Sequence, residues 1–312
     1  MSAKQNEIQV AITLASLAYA HYHNSLEDQA SYIEQMLGEP ELPTAAQWKL
    51  KWGPVLHEEN LMYLVHQPST EAGTVDRYAL AIRGTVGEPL NILEDLDVIP
   101  VCYPWEADAP PAGTMLSQGI SLGAQALMDA QDGGIKLMDV LAPLQQGGEL
   151  LVTGHSLGGC LTTVLAMHIA CQLPAAEVHS IPFAGQTAGN AHFADWYTGQ
   201  FGEGARWFNH YDIVPRAWDK AGLESIKTLY PAQQQPGTAL RLIIDGMMFL
   251  VKDHYAQPGT GTELAGELAL GAEISFLQEV KTQHDHLYYM FLVGVELSAI
   301  HILEPCWTPP SS

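Results

Sequence analysis

The sequence is poor in basic residues and in cysteine, and it has no long uncharged apolar run. Thirteen lysines and arginines stand against thirty-five acidic residues, a formal net charge of −22 over 312 residues with histidines neutral. That balance repels phosphate backbones and anionic membrane surfaces, so nucleic acid is excluded as a partner. No acidic run is long enough to suggest a dedicated cation-binding role, and the charge reads as a solvated surface. The four cysteines, at 102, 160, 171 and 306, lack paired metal-ligand spacing. Cys160 and Cys171 fall about three turns apart on one predicted helix, too far for a disulfide. With no disulfide framework, the cysteines do not fix the compartment. The apolar stretch 287–303 is too short for a membrane span and carries Glu296 and His301, which predicts a buried terminal helix. At the start of the chain, Ala18-Tyr19-Ala20 has the form of a signal-peptide end. However, Lys4 is balanced by Glu7, and Ile8, Ile12, Ala15 and Tyr19 form a helical stripe. A first helix of the mature fold is therefore expected, in a soluble protein without a transmembrane anchor, cytoplasmic or exported by a non-classical route.

With 47% hydrophobic residues the chain can bury a sizeable core. No repeat, low-complexity tract or long linker interrupts it, only short breaks such as Ala109-Pro110-Pro111-Ala112-Gly113, so residues 1–312 read as a single domain. Strands are predicted at residues 61–67 and 77–82, joined by a loop at 68–73, and a helix at 116–128. Further strands are expected around 179–183 and 205–209, while 229–283 has no assignable pattern. Alternating strands and helices of this kind indicate an α/β sheet protein.

The densest signal is at residues 149–160, Glu-Leu-Leu-Val-Thr-Gly-His-Ser-Leu-Gly-Gly-Cys. An apolar strand runs into Gly154-His155-Ser156-Leu157-Gly158, the G-x-S-x-G pattern of a serine hydrolase nucleophile elbow, and Leu157, Leu161, Leu165 and Ile169 then recur at helical spacing. A serine hydroxyl is a weak nucleophile at neutral pH. A sharp strand-to-helix turn holds it exposed beside a base. Glycines at minus two and plus two fit because a β-carbon there would crowd the reversing backbone, and because glycine tolerates unusual dihedrals. Such a serine needs a base, a carboxylate to orient it and donors for an oxyanion. In this fold type the order is Ser, Asp or Glu, then His. Asp212, in Asn209-His210-Tyr211-Asp212-Ile213-Val214-Pro215, and His286, in His284-Asp285-His286-Leu287-Tyr288-Tyr289, satisfy it, with His284, His254 and His210 as rivals. His21, His23, His284 and His286 could suggest a metal, but the two pairs lie at opposite ends of the chain, and no metal or cofactor is expected.

Over roughly residues 60–290 these segments together resemble the class 3, or fungal-type, lipase family of α/β-hydrolases. Ala81-Ile82-Arg83-Gly84-Thr85 is similar to the family's strand ending in Arg-Gly-Ser/Thr, which implies that Thr85 donates to the oxyanion beside the backbone N–H of Leu157. Residues 91–100 resemble the end of the family's lid segment and the strand after it, implying a lid near 86–97. Phe183-Ala184-Gly185-Gln186-Thr187-Ala188-Gly189-Asn190 resembles the strand and loop between nucleophile and acid. Asp212-Ile213-Val214-Pro215 resembles the aspartate motif and Asp285-His286-Leu287-Tyr288-Tyr289 the histidine motif, which implies His286 as the base. Gln186 stands where the family usually has proline, and Ile92 where the lid often carries tryptophan.

The resulting expectation is an α/β-hydrolase fold, a mostly parallel sheet flanked by helices, carrying a Ser156–Asp212–His286 triad. Leu90, Ile92 and Leu93, with Met247, Met248 and Phe249, suggest a greasy acyl pocket under a mobile cover, favouring acylglycerol esters met at a lipid–water interface. The expected activity is that of a triacylglycerol lipase or carboxylesterase. Phospholipase A1 or feruloyl-type esterase activity is the alternative within enzymes, and a catalytically silent lipid-binding relative is the alternative outside them.

Overall fold

The computed structural model describes residues 3–69, 76–84, 86–87, 97–269 and 274–310. Its centre is a seven-stranded sheet whose spatial order follows the chain: β1 (Lys49–His57), β2 (Asn60–Gln67), β3 (Arg77–Arg83), β4 (Glu149–His155), β5 (Glu177–Phe183), β6 (Trp207–Asn209) and β7 (Thr262–Leu264). β1, β2 and β3 pair antiparallel as a meander, whereas β3 to β7 run parallel. The hairpin expected from two strand patterns and a Pro-Ser loop is therefore β2–β3. The edge strand β1, in which charged and apolar residues are mixed, has no counterpart in the sequence reading.

Residues of alternating parity fill the two faces, as a pleated strand requires. Tyr63, Val65, Ala79, Ala81 and Leu151 join a cluster with α1 (Ala3–Leu17). Leu64, Leu80, Ile82, Leu150 and Val152 join the opposite cluster with α3 (Gln118–Asp129) and α4 (Leu157–Gln172). Because both faces are covered, β4 is buried along its length apart from Glu149, which explains why it reads as a continuous apolar run. α1 and α4 are likewise apolar on nearly every side, α1 packing against β4 and α4 against β4 and β5. α2 (Leu26–Leu37) is amphipathic, capped by Ser25, and packs beside β1.

Past β5 the chain forms α5 (Ala191–Phe201), the short β6, and then α6 (Lys220–Ile226) and α7 (Thr238–Val251). These last two cover a third apolar cluster built on Ile213, Val214, Trp218 and Tyr230. The unassigned stretch 229–283 thus holds α7, β7 and most of α8 (Phe276–His284). The terminal apolar segment is two helices, α9 (His286–Leu292) and α10 (Leu297–Leu303), rather than one. Gly294 separates them with φ of 79°, a left-handed turn that glycine adopts without steric cost. Tyr19, expected on the stripe of the first helix, lies two residues beyond its end. All four cysteines are free thiols, and no helix of the described residues is long and apolar enough to cross a membrane.

Candidate active site

At the carboxyl end of β4 the chain reverses over one residue. Ser156 has φ of 61° and ψ of −130°, a costly region for a residue with a β-carbon, and α4 begins immediately after it. The turn is fixed by backbone: the Ser156 N–H donates to the Phe183 carbonyl at 3.1 Å, and the Ser156 carbonyl accepts from Cys160 N at 3.0 Å. The flanking glycines are there for space. A β-carbon on Gly154 would approach the Gly158 carbonyl oxygen at 2.4 Å, and one on Gly158 the Ile82 oxygen at 2.2 Å. Neither glycine has a positive φ, so the unusual dihedral belongs to the serine itself and crowding alone selects the glycines.

The Ser156 hydroxyl lies 2.8 Å from His284 Nε2, and His284 Nδ1 lies 2.7 Å from Asp212 Oδ2. The histidine in this chain of hydrogen bonds is therefore His284. His286, the residue implied by the resemblance, stacks on Tyr19 with ring centroids 4.8 Å apart, and its buried Nδ1 has no partner. The reason lies in local structure. His284 ends α8, Asp285 caps the next helix by accepting from Leu287 N, and His286 opens that helix, so two residues separated by one turn-forming cap face different ways. Asp285 is clamped in turn by the Trp307 indole N–H at 2.8 Å.

Asp212 follows β6, where the chain turns through Asp212 N to Asn209 O and Val214 N to Asp212 Oδ1. Its second oxygen accepts from both His284 and the Tyr289 hydroxyl, the latter at 2.8 Å, and Tyr289 also accepts from Asn209 N. Asn209 Nδ2 reaches the Gln283 carbonyl and side chain, and Gln283 Nε2 reaches the Glu267 carbonyl and Glu279. This buried net ties the end of α8 to the end of β6. Burial and the neighbouring Asp212 charge push the Tyr289 hydroxyl well above the usual tyrosine range, which keeps it a donor. Among these residues, Tyr289 was read only as part of a motif, while Asn209 and Gln283 carried no sequence signal of their own.

His155, just before the serine, stands 4.8 Å from His284, centroid to centroid. Burial first, then the nearby histidines, hold it well below the ordinary histidine range, so it remains neutral beside His284. Tyr19 reaches under the turn, its hydroxyl donating to the His155 carbonyl at 3.0 Å. Burial pushes that phenol far above its ordinary value.

Leu157, half-buried, is the first residue of α4. A β-carbon on Gly84 would meet Leu157 Cβ at 2.3 Å and Gly158 N at 2.6 Å, so the end of β3 presses against the first turn of α4. Thr85 lies outside the described residues, as do Leu90, Ile92, Leu93 and most of the lid expected at 86–97. Of the other predicted pocket residues, Met247 is buried in the third cluster and Met248 packs partly against it. Phe249 is 77% exposed on the outer face of α7, so it does not line a pocket. The distant histidines also need revision: His21, His23 and His286 line one cavity of about 490 Å³, so the two ends of the chain do meet. No group of three or more potential ligands there, or elsewhere among the described residues, is arranged to hold a metal ion.

The family description "Lipase (class 3)" matches residues 79–220, which include the turn at Ser156 and the Asp212 loop. Over that segment, a little under half of its length, the chain resembles the class 3 lipase family of α/β-hydrolases. Among solved structures, M37 lipase superposes with a TM-score of 0.81 at 26% identity, over 96% of this chain and 98% of that one. A fungal lipase gives 0.57 at 14% identity over 95% and 99%, and Rhizomucor miehei lipase in its native propeptide complex gives 0.57 at 17% over 94% and 82%. The last two likenesses speak for the fold alone. A comparison with curated protein sequences gave no match. Ester hydrolysis is the reaction class that the comparisons support.

Proposed function

We propose that the chain is a serine carboxylic ester hydrolase, acting as a lipase on acylglycerols, with Ser156 as nucleophile, His284 as base and Asp212 as its orienting carboxylate. The observation that carries this reading is the pair of hydrogen bonds, 2.8 Å and 2.7 Å, that links a strained serine through His284 to a buried carboxylate. On that reading His284 Nε2 takes the hydroxyl proton as Ser156 Oγ attacks the ester carbonyl, and the proton then passes to the departing alcohol oxygen. The acyl-enzyme is released by water, whose proton goes to His284 and then back to Ser156. Asp212 keeps Nδ1 protonated and stabilises the imidazolium, while Tyr289 and Val214 N fix the carboxylate. The tetrahedral oxyanion would sit against the N–H of Leu157, at the positive end of the sixteen-residue α4. Thr85, by its resemblance and its position next to Gly84, is the second proposed donor.

No cofactor or metal enters this scheme. Hydrolysis of p-nitrophenyl esters from acetate to palmitate, emulsified triolein, phosphatidylcholine and methyl ferulate by wild type and Ser156→Ala tests it. Long-chain and triolein turnover that vanishes in the variant is the expected result. Turnover confined to short or aromatic esters would make the enzyme an esterase, and phospholipid turnover a phospholipase. No Ser156-dependent turnover would overturn the enzyme reading altogether.

A further inference from the structure

α7 has two apolar faces. At 100° per residue, Ile244, Met247 and Val251 form one arc, packed into the cluster with Ile213 and Val214. Leu242, Ile243, Phe249 and Leu250 form the opposite arc and are 66%, 39%, 77% and 64% exposed. Gly246 lies in the middle of that outer face, and a β-carbon there would meet nothing within 4 Å. The charged residues Arg241, Asp245 and Lys252 share one flank between the arcs. Soluble domains rarely leave four large apolar side chains together on one helix face without a binding purpose.

Charge narrows what can cover this face. Lys220, Lys227, Arg241 and Lys252, against Glu224 and Asp245, leave residues 220–252 with a small positive excess in a chain of net charge −22. Lys227 is committed to Glu224 and Asp245, and Arg241 to backbone carbonyls, so this stretch is close to neutral outside rather than strongly basic. A second copy of so acidic a chain would approach against its own field. An anionic bilayer would be repelled by the remainder of the molecule. An uncharged lipid surface meets neither penalty, and a helix with an exposed apolar arc above a charged flank has the form of one that lies in an interface. The inner face of the same helix shares its apolar cluster with Ile213 and Val214, which follow Asp212 in the chain, so the docked face is anchored to the site through that cluster.

We propose that α7 is the element by which the protein docks on an uncharged acylglycerol–water surface, with Leu242, Ile243, Phe249 and Leu250 immersed and Arg241, Asp245 and Lys252 at the waterline. The lipid identity of the surface rests on the ester-hydrolase reading above, whereas the docking face itself does not. The test measures adsorption, not turnover. Full-length Ser156→Ala protein is floated with triolein droplets stabilised by phosphatidylcholine, and compared with the same protein also carrying Leu242→Ser and Leu250→Ser. A further variant carries Leu122→Ser, which removes a leucine 57% exposed on α3. Near-ultraviolet circular dichroism and melting confirm that each variant is folded. At least about tenfold weaker partitioning is expected on losing the two leucines of α7, and little change on losing Leu122. Equal adsorption of all three proteins would overturn the proposal. So would a dimer seen by light scattering that dissociates only in the α7 variant, since the face would then belong to a second copy. Adsorption through α7 by a chain that shows no Ser156-dependent turnover in the ester panel would sink the hydrolase reading and leave the docking face standing.

Discussion

Ser156 and His284 stand 2.8 Å apart, yet two different kinds of physics bring them there. The serine turn is written in its immediate neighbours, even where they answer to distant carbonyls: an apolar strand, glycines whose β-carbons would strike the Gly158 and Ile82 oxygens, and a helix that starts at the next residue. The histidine turn is made by residues far away in sequence. Asn209 and Gln283 bind the end of α8 to the end of β6, Tyr289 bridges to Asp212, and Trp307 clamps Asp285. A turn built from local exclusion leaves a signature in five consecutive letters. A turn built from distant hydrogen bonds does not.

Replacing each of the two histidines in turn has the largest expected effect. His284→Ala is expected to lower kcat by roughly three orders of magnitude or more, as loss of a catalytic base does, and Ser156→Ala by a similar amount. His286→Ala should keep activity within about tenfold, because its ring touches Tyr19 and His155 but neither Ser156 nor Asp212. Parallel kinetics on p-nitrophenyl butyrate decide it, and the reverse ranking would restore His286 as the base.

Next in size is the backbone side of the comparison. Gly158→Ala puts a methyl group where the Ile82 oxygen would lie at 2.2 Å, with no flexible side chain to yield. The strand or the helix must move, and the variant is expected to lose several degrees in Tm together with most of its activity. Gly246→Ala, into open space on α7, should be neutral or slightly stabilising, since alanine is the better helix former. Thermal melts of the pair measure the contrast.

These variants also mark what the sequence made legible. The β2–β3 hairpin, the parallel core, the nucleophile turn and the aspartate loop could be read because each depends on a run of residues with one period or one turn chemistry. The edge strand β1 could not, since its residues alternate poorly, and the region 229–283 could not, since α7 carries large apolar side chains on its outer as well as its inner face. The resemblance favours His286 over its rival His284 because a motif records letters. The cap at Asp285, which turns the two side chains apart, is visible only once Leu287 N is seen to donate to it. One usable signal was present: the Ser275–Gln278 capping box starts a helix whose last residue is His284.

A smaller effect probes the long-range net without removing a reacting group. Tyr289→Phe deletes the second donor to Asp212 Oδ2 and the acceptor for Asn209 N, while keeping the ring that packs on Phe183 and His155. A roughly tenfold fall in kcat with little change in KM is expected, from one lost hydrogen bond to a charged group. A fall in Tm with kcat intact would make Tyr289 a packing residue only.

The smallest effect probes His286 by protonation instead of catalysis. Burial lowers His286 below its ordinary value of 6.5, with the His284 charge adding to this and Asp285 opposing it, and burial lowers His155 further still. Above about pH 6.5 both are neutral in the folded and unfolded chains, and their contribution to stability is complete. As pH falls below that, the unfolded chain binds protons that the folded one refuses, so stability drops before most carboxylates begin to titrate. Tm should therefore decline between pH 7 and 5.5. His286→Phe keeps a ring to stack on Tyr19 but removes one of the two protons, so its decline should be shallower while its Tm at pH 7.5 stays close to wild type. An identical slope would mean that His286 is protonated as easily in the folded protein as in the unfolded chain, and that its orphaned Nδ1 is reached by water.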